Sequence, residues 1–209
     1  MAGTLVDIRE RLRLAANSRH AHGPRLDIVS TTPAPIDVAA EVRAAEQRSR
    51  PYLLTTPAVP SIGLTAAIGS EVVLKCENLQ HTGSFKARGA VSKVLSLTPD
   101  ELERGVITAS TGNHGVAVAY AGSIVGVAPT VVVPDNANPS KLAAIERLGG
   151  RIEVHGTDSV ESELGARRAA GERGLTFVSP YNDPAIILSL IHISEPTRPR
   201  RQSRMPCCA

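Results

Sequence analysis

The chain has 209 residues, of which 42% are hydrophobic and only 2% aromatic. This length suits one large domain or two small ones with an aliphatic core, and the scarcity of aromatic side chains argues against a protein that stacks single-stranded nucleic acid. No apolar run approaches the roughly 20 residues that span a bilayer, and residues 1–13 lack the apolar stretch of a secretory signal. We therefore expect a soluble, cytoplasmic protein without a membrane partner.

The formal net charge of +3 is contributed by the C-terminal tail. Residues 188–209 hold four arginines and one glutamate, so residues 1–187 are formally neutral. A basic tail alone gives no reason to expect a nucleic-acid partner. Cys76 is isolated and Cys207 and Cys208 are adjacent, so the spacing indicates neither a disulfide framework nor a metal site.

Residues 1–33 are predicted to be an N-terminal extension and linker. Its first part favours a short amphipathic helix, because four aliphatic residues share one helical face: Leu5, Ile8, Leu12 and Ala15. A second helix is predicted over residues 36–48, with Val38, Val42 and Ala45 facing inward.

Strands and helices alternate from Glu71 onward. Strands are predicted at residues 72–74, 106–108, 130–133, 151–154 and 176–178. Helices are predicted at residues 84–97, 113–125, 139–148 and 158–173. Short connections between the two kinds of element favour right-handed βαβ units, and hence an α/β fold whose parallel sheet is covered on both faces.

The segment that begins at Leu188 does not continue the preceding pattern. Residues 188–198 back-translate to a string that resembles a transposase-type sequencing-library adapter, and residues 203–206 resemble the outer adapter. Cys207 and Cys208 depart from this match, because the same frame would place serines there. We expect a gene fragment that ends near Ile187 and an adapter-derived, non-native tail over residues 188–209; the alternative is a natural basic tail.

The first of two turns that could carry chemistry contains Lys86, at the predicted start of a helix. The positive end of the helix dipole is unfavourable for an ammonium group, so the position should lower the pKa of the lysine. A neutral amine is what Schiff-base chemistry requires. The alternative is that Lys86 simply extends into solvent.

The second turn, residues 109–115, follows the strand at 106–108 and supplies two glycines, two hydroxyls and an amide at a helix start. Exposed N–H groups and the helix dipole suit a carboxylate or a phosphate at such a turn. The alternative is an ordinary capped turn, with Ser110 or Asn113 as the N-cap.

Together the two turns resemble the fold-type II pyridoxal-phosphate enzymes, and among them the serine/threonine dehydratase branch, which includes threonine ammonia-lyase and serine racemase. The similarity covers about residues 36–187 and is carried by residues 74–80, 83–90 and 109–115. Cys76 departs from the usual pattern. The resemblance implies parallel sheets with flanking helices, as in the tryptophan synthase β-like fold, with a small domain and part of a large domain over residues 34–187 and the C-terminal part missing.

The resemblance also implies a role for each matching residue. Lys86 would bind pyridoxal 5'-phosphate covalently and then move the Cα proton, Phe85 would pack beside the ring, and Asn113 would hydrogen-bond its phenolic oxygen. The substrate carboxylate would be bound by the turn that follows, at Ser110, Thr111, Gly112, Asn113 and His114. Thr111 would also be catalytic, because racemase-like members carry an acting serine there.

The implied function of the full-length parent is the α,β-elimination of water from L-threonine or L-serine, which gives a 2-oxo acid and ammonia. The substrate would be a small amino acid, and the parent a homo-oligomer. Alternatives are serine racemase, a dehydratase of another hydroxylated amino acid, a cysteine synthase-like enzyme, or a non-catalytic anion-binding fragment. Because the family's tetraglycine phosphate loop has no counterpart here, we expect this chain to bind the cofactor weakly or not at all.

Overall fold

The computed structural model describes residues 37–194. The predicted N-terminal extension, and the tail beyond Ser194, lie outside these residues. The helices are α1 Val38–Ser49, α2 Ile62–Ile68, α3 Lys86–Val94, α4 Pro99–Arg104, α5 Asn113–Val125, α6 Pro139–Arg147, α7 Ser159–Arg173 and α8 Pro184–Ser194. The strands are β1 Ala58–Pro60, β2 Val73–Lys75, β3 Val106–Ala109, β4 Thr130–Val133, β5 Arg151–Val154 and β6 Thr176–Phe177. Short 3₁₀ turns span Arg50–Tyr52 and Glu77–Leu79.

Four strands form a parallel sheet in the order β5-β4-β3-β6. Ile107 pairs with Thr130, Val131 pairs with Ile152, and Val106 pairs with Thr176. The helices between consecutive strands make the crossover connections that parallel pairing requires. The predicted parallel α/β sheet is confirmed.

Successive residues of the central strands point to opposite faces of the sheet. On one face Val131 and Val133 pack with Ile145 of α6 and with α5. On the other face Ile107 and Val132 pack against small residues of α7. Helices therefore cover both faces, as predicted, and the two core layers are aliphatic.

The strand predicted at residues 72–74 does not join this sheet. It is β2, which pairs antiparallel with β1 in a separate two-stranded sheet. The connecting helix α2 is capped by Ser61 and ends at Gly69, whose φ of 74° is left-handed and favours glycine. The strand itself was predicted correctly, but its place in the parallel sheet was wrong. Every residue of both strands is exposed, so no burial pattern in the sequence indicates which strand is the partner.

Three further expectations differ from the structure. Val38 is 48% exposed rather than inward, whereas Ala45 of the same helix is buried. The helix predicted over residues 84–97 is shorter and begins at Lys86. The sequence pattern showed no helix across residue 187, yet α8 runs from Pro184 to Ser194.

The domain boundaries at residues 33 and 187 stay predictions. Within residues 37–194, no helix has both the length and the apolar character needed to cross a membrane.

Candidate active site

A cleft of about 500 Å³ lies where the strands of the parallel sheet end. Its lining comes from the segments that follow β3, β5 and β6, together with Lys86 at the start of α3. All the predicted site residues except Phe85 line it: Lys86, Ser110, Thr111, Gly112, Asn113 and His114. The topology therefore brings both turns to one cleft. This cleft lies at the ends of the strands, where ligand sites of parallel sheets are generally found.

Two helices, α3 and α5, begin at this cleft, and neither has a side-chain cap at its N-terminus. Helices α1, α2, α4, α6 and α7 each begin with an Asp, Asn, Ser or Thr side chain that accepts from the first turn. The N-cap residue of α3 is Phe85 and that of α5 is Gly112, and neither supplies such a cap. The first-turn N–H groups of α5 are thus available to an anion, which excludes the capped-turn alternative.

Lys86 is half-buried at the cleft, and its Nζ donates to the Pro180 carbonyl oxygen at 3.2 Å. The Nζ lies 5.4 Å from the centroid of the Phe85 ring and 5.5 Å from that of Tyr181. Burial lowers the pKa of Lys86. The direction agrees with the prediction, and its cause here is the loss of solvation on burial.

Phe85 lies beside this lysine but is 45% exposed and does not line the cleft. Its predicted role against the cofactor ring stays a prediction.

Hydrogen bonds and close packing hold the turn at residues 110–114 in place. The Ser110 N–H donates to the Val132 carbonyl at 3.0 Å, and the Gly112 N–H donates to Ser110 Oγ at 3.1 Å. A Cβ at Gly115 would lie 2.8 Å from Val131 Cγ1 and 3.2 Å from Ser110 Cβ. Glycine therefore lets the first turn of α5 approach β4 and Ser110 closely.

Thr111 and Asn113 are exposed to the cleft. Neither side chain has a hydrogen-bond partner within residues 37–194, so the hydroxyl and the amide are available to a ligand.

His114 lines the cleft but is only 5% exposed. Its Nε2 lies 3.1 Å from Thr108 Oγ1 and 3.5 Å from the Val178 carbonyl oxygen. Burial, together with the charge of Lys86, lowers the pKa of His114 to about 4, although the Val178 carbonyl and Asp183 oppose the shift. The imidazole is therefore neutral at pH 7. Its predicted binding of the substrate carboxylate stays a prediction.

The opposite wall of the cleft was not predicted from the sequence. Val160, Glu163, Leu164 and Arg167 of α7 all line it, and their spacing places them on one helical face. Arg167 Nη2 donates to Glu163 Oε1 at 2.7 Å, and its guanidinium lies 4.4 Å from the centroid of the Phe177 ring. The spacing was visible in the sequence, but which face meets the cleft depends on how α7 packs.

Residues 50–194 match the family model described as pyridoxal-phosphate dependent enzyme, which is more than half of the chain. The chain belongs to the family of pyridoxal-phosphate dependent enzymes. The predicted family, fold class and cofactor are thereby confirmed.

The names of the relatives that this chain matches contain two activities. The chain is 38% identical over 143 residues to a serine racemase of Oryza sativa, a match covering 68% of this chain and 42% of the relative. It is 36% identical over 148 residues to a catabolic L-threonine dehydratase of Staphylococcus aureus, covering 70% and 43%. The solved structure of maize serine racemase superimposes with a TM-score of 0.69 at 32% identity, covering 74% and 47%. The chain thus spans less than half the length of the curated relatives that it matches.

The residues present fit a pyridoxal-phosphate cofactor. The aldehyde needs an amine that can lose its proton, and burial of Lys86 favours that form. The uncapped start of α5 offers N–H groups to an anion in the same cleft. Within residues 37–194, no three His, Cys, Asp or Glu side chains are grouped to hold a metal ion.

Proposed function

We propose that the full-length protein eliminates water from L-threonine or L-serine in a pyridoxal-phosphate dependent reaction that yields a 2-oxo acid and ammonia. The observation that supports it best is the half-buried Lys86 amine in one cleft with the uncapped start of α5. The threonine dehydratase of Staphylococcus aureus, at 36% identity, favours the same reaction. We also propose that the full-length protein is a homo-oligomer.

In this proposal Lys86 would hold the cofactor through its Nζ, and Phe85 and Asn113 would lie beside it. When bound, pyridoxal phosphate supplies an electron sink for the bond broken at the substrate Cα.

The chain's own residues orient the substrate and move its proton. The first-turn N–H groups of α5, with the hydroxyls of Ser110 and Thr111, bind and orient the substrate carboxylate. Lys86 Nζ, once it no longer holds the cofactor, accepts the proton from Cα, and burial shifts its pKa in the direction that favours the uncharged form needed for this step. The neutral ring of His114 avoids a second positive charge beside this amine.

Serine racemisation is a second candidate, favoured by two observations. Serine racemases of rice and maize are among the matching proteins, and the exposed Thr111 hydroxyl lies in the cleft without a partner in the described chain. Chiral chromatography of the products from L-serine separates the two reactions, because racemisation yields D-serine and elimination yields pyruvate. Formation of cysteine from O-acetylserine would instead indicate the cysteine synthase-like alternative.

Borohydride reduction in the presence of pyridoxal phosphate tests the assignment of Lys86 on this chain. Reduction fixes even weakly bound cofactor to the lysine that holds it, and the chain has four lysines: Lys75, Lys86, Lys93 and Lys141. Peptide mass mapping is expected to place the modification at Lys86. The control is Lys93, whose Nζ forms an ion pair with Asp183 Oδ2 at 3.1 Å and which does not line the cleft.

Equal labelling of the four lysines, or labelling that persists undiminished in Lys86→Arg, would contradict the assignment. In the full-length protein, Lys86→Ala is expected to abolish formation of 2-oxobutyrate from L-threonine. A Lys86→Ala protein with wild-type turnover would exclude the proposed function.

A further inference from the structure

A hydroxyl, an imidazole and a carbonyl meet beneath the cleft, at the ends of two neighbouring strands. Thr108 Oγ1 donates to the Val178 carbonyl oxygen at 2.7 Å, and His114 Nε2 lies 3.1 Å from the same Thr108 oxygen. Thr108 is fully buried and His114 is 5% exposed, so solvent does not supply partners for them. The cluster joins β3, the start of α5 and the segment that follows β6.

The proton positions in this cluster follow from what each group can donate. A carbonyl oxygen only accepts, so the 2.7 Å contact with Val178 uses the single proton of the Thr108 hydroxyl. Thr108 Oγ1 then has only lone pairs to offer to His114, and the Val178 carbonyl, 3.5 Å from the same ring nitrogen, is also an acceptor. His114 Nε2 must therefore carry the ring proton.

We propose that Thr108 is a positioning residue for the cleft, which holds His114 as its Nε2–H tautomer and joins the 110–114 turn to the segment that binds Lys86. In this segment the Thr108 contact and the Lys86 contact lie only two residues apart. The Val178 carbonyl accepts from Thr108, and the Pro180 carbonyl accepts from Lys86 Nζ at 3.2 Å. The hydroxyl thus fixes the spacing between the anion-binding turn and the lysine.

This tautomer changes the role expected of His114. With the proton on Nε2, the ring nitrogen Nδ1 is a buried acceptor, and it has no hydrogen-bond partner in the described residues. A lone pair cannot bind a carboxylate oxygen, and the Nε2 proton is already used by Thr108. Carboxylate binding then falls to the first-turn N–H groups of α5 and to the hydroxyls, while His114 positions that turn.

The tautomer is measured directly on the full 209-residue chain, labelled with ¹⁵N at histidine, by long-range ¹H–¹⁵N spectra. His114 is assigned by its loss in His114→Gln among the six histidines. We expect a protonated Nε2 and an unprotonated Nδ1. A protonated Nδ1 would overturn the inference. The measurement needs neither cofactor nor substrate, so its outcome is independent of the proposed function.

The positioning role is measured with acetate, titrated against the amide signals of the first turn of α5. Thr108→Val keeps the shape but removes the hydroxyl, and we expect acetate to bind about fivefold more weakly, the effect of one lost hydrogen bond. Thr108→Ser is expected to restore the wild-type affinity. Thr130→Val is the matched control, because Thr130 is a buried threonine on β4 whose side chain has no hydrogen-bond partner in the described chain.

Equal acetate affinity in Thr108→Val and wild type would refute the positioning role, as would a similar loss in Thr130→Val. If Thr108→Val does not fold, the inference is tested by the tautomer of His114 in the wild type and by the acetate affinity of Thr108→Ser. Absence of acetate binding to the wild type would count against the proposed carboxylate site, and the ring measurement would still test the assignment of Thr108.

Discussion

The ion pair between Glu77 and Arg88 offers the sharpest test of how the lysine-bearing helix is held. Arg88 Nε and Nη2 each donate to the Glu77 carboxylate at 2.8 Å, and both side chains are only 11% exposed. The Thr56 hydroxyl donates to the same carboxylate at 2.5 Å. Glu77→Gln keeps the shape of the side chain, but it leaves the Arg88 charge buried without its counter-charge.

The expected loss of stability is about 3 kcal/mol. Breaking a buried pair by removing one partner costs about 3–5 kcal/mol. The lower end applies because the amide oxygen introduced by Glu77→Gln still accepts a hydrogen bond, and because the pair retains some contact with water. For a chain of this size the same loss lowers the melting temperature by roughly 6–12 °C.

The pH dependence of this loss has a defined sign. Burial alone would raise the pKa of Glu77, but hydrogen bonds from Arg88 and Thr56, and the charges of Arg88 and Lys75, outweigh it and hold the pKa below 4.5. A carboxylate whose pKa is depressed by folding contributes stability above its unfolded pKa and loses it as pH falls through the folded value. The difference between wild type and Glu77→Gln should therefore be full at pH 7 and shrink in acid.

Urea unfolding followed by circular dichroism at pH 7 and in acid measures both effects. The matched control is Glu163→Gln, which removes the partner of Arg167 in an exposed pair on α7. Such a pair contributes about 0.2–1 kcal/mol. An equal loss of stability in the two variants, or a loss in Glu77→Gln that is independent of pH, would show that the buried pair does not stabilise the protein in this way.

Two further outcomes are expected. Gly122→Ala should destabilise by about 1–3 kcal/mol in urea unfolding, because the new Cβ would lie 2.5 Å from the Val127 carbonyl oxygen and 2.7 Å from Pro129 Cδ. Gly171→Ala in α7 should be neutral or stabilising, because a Cβ there would meet no atom within 4 Å. An equal loss of stability in both variants would contradict the close packing at Gly122. For His114, with a pKa lowered to about 4, the unfolded chain binds the extra proton first, so stability should fall by up to about 3 kcal/mol as pH drops from 6.5 towards 4. His114→Gln should flatten this part of the pH profile, and an unchanged profile would show that folding does not lower the pKa of the His114 ring.

Hydrophobic periodicity predicted the parallel part of the fold closely. The predicted helix over residues 113–125 and the strands at 130–133 and 151–154 have the bounds of α5, β4 and β5. Of these segments α5 and β4 are largely buried and β5 is partly buried, and short apolar segments between polar turns are what a sequence pattern predicts. The strand predicted at residues 72–74 corresponds to β2, but its antiparallel partner β1 and the helix α2 were not predicted, because both strands are short and exposed throughout.

The resemblance located the lysine and the 110–114 turn, since both consist of contiguous residues with a distinctive order. The wall formed by Glu163 and Arg167, and the carbonyl of Pro180 that binds Lys86, come from segments more than 70 residues away in sequence from Lys86. Nothing local in the chain specifies which of their groups meet the cleft.

The sequence by itself determined the family, the alternation of strands and helices, and the two motifs that a carbonyl cofactor and a carboxylate require. Local composition suffices for these, because periodicity and motif order are properties of neighbouring residues. Only the tertiary structure decided the strand order, the desolvation that makes Lys86 less basic, and the proton arrangement of Thr108, His114 and Val178. Solvation and hydrogen-bond partners depend on residues brought together from distant parts of the chain, which spacing along one segment does not encode.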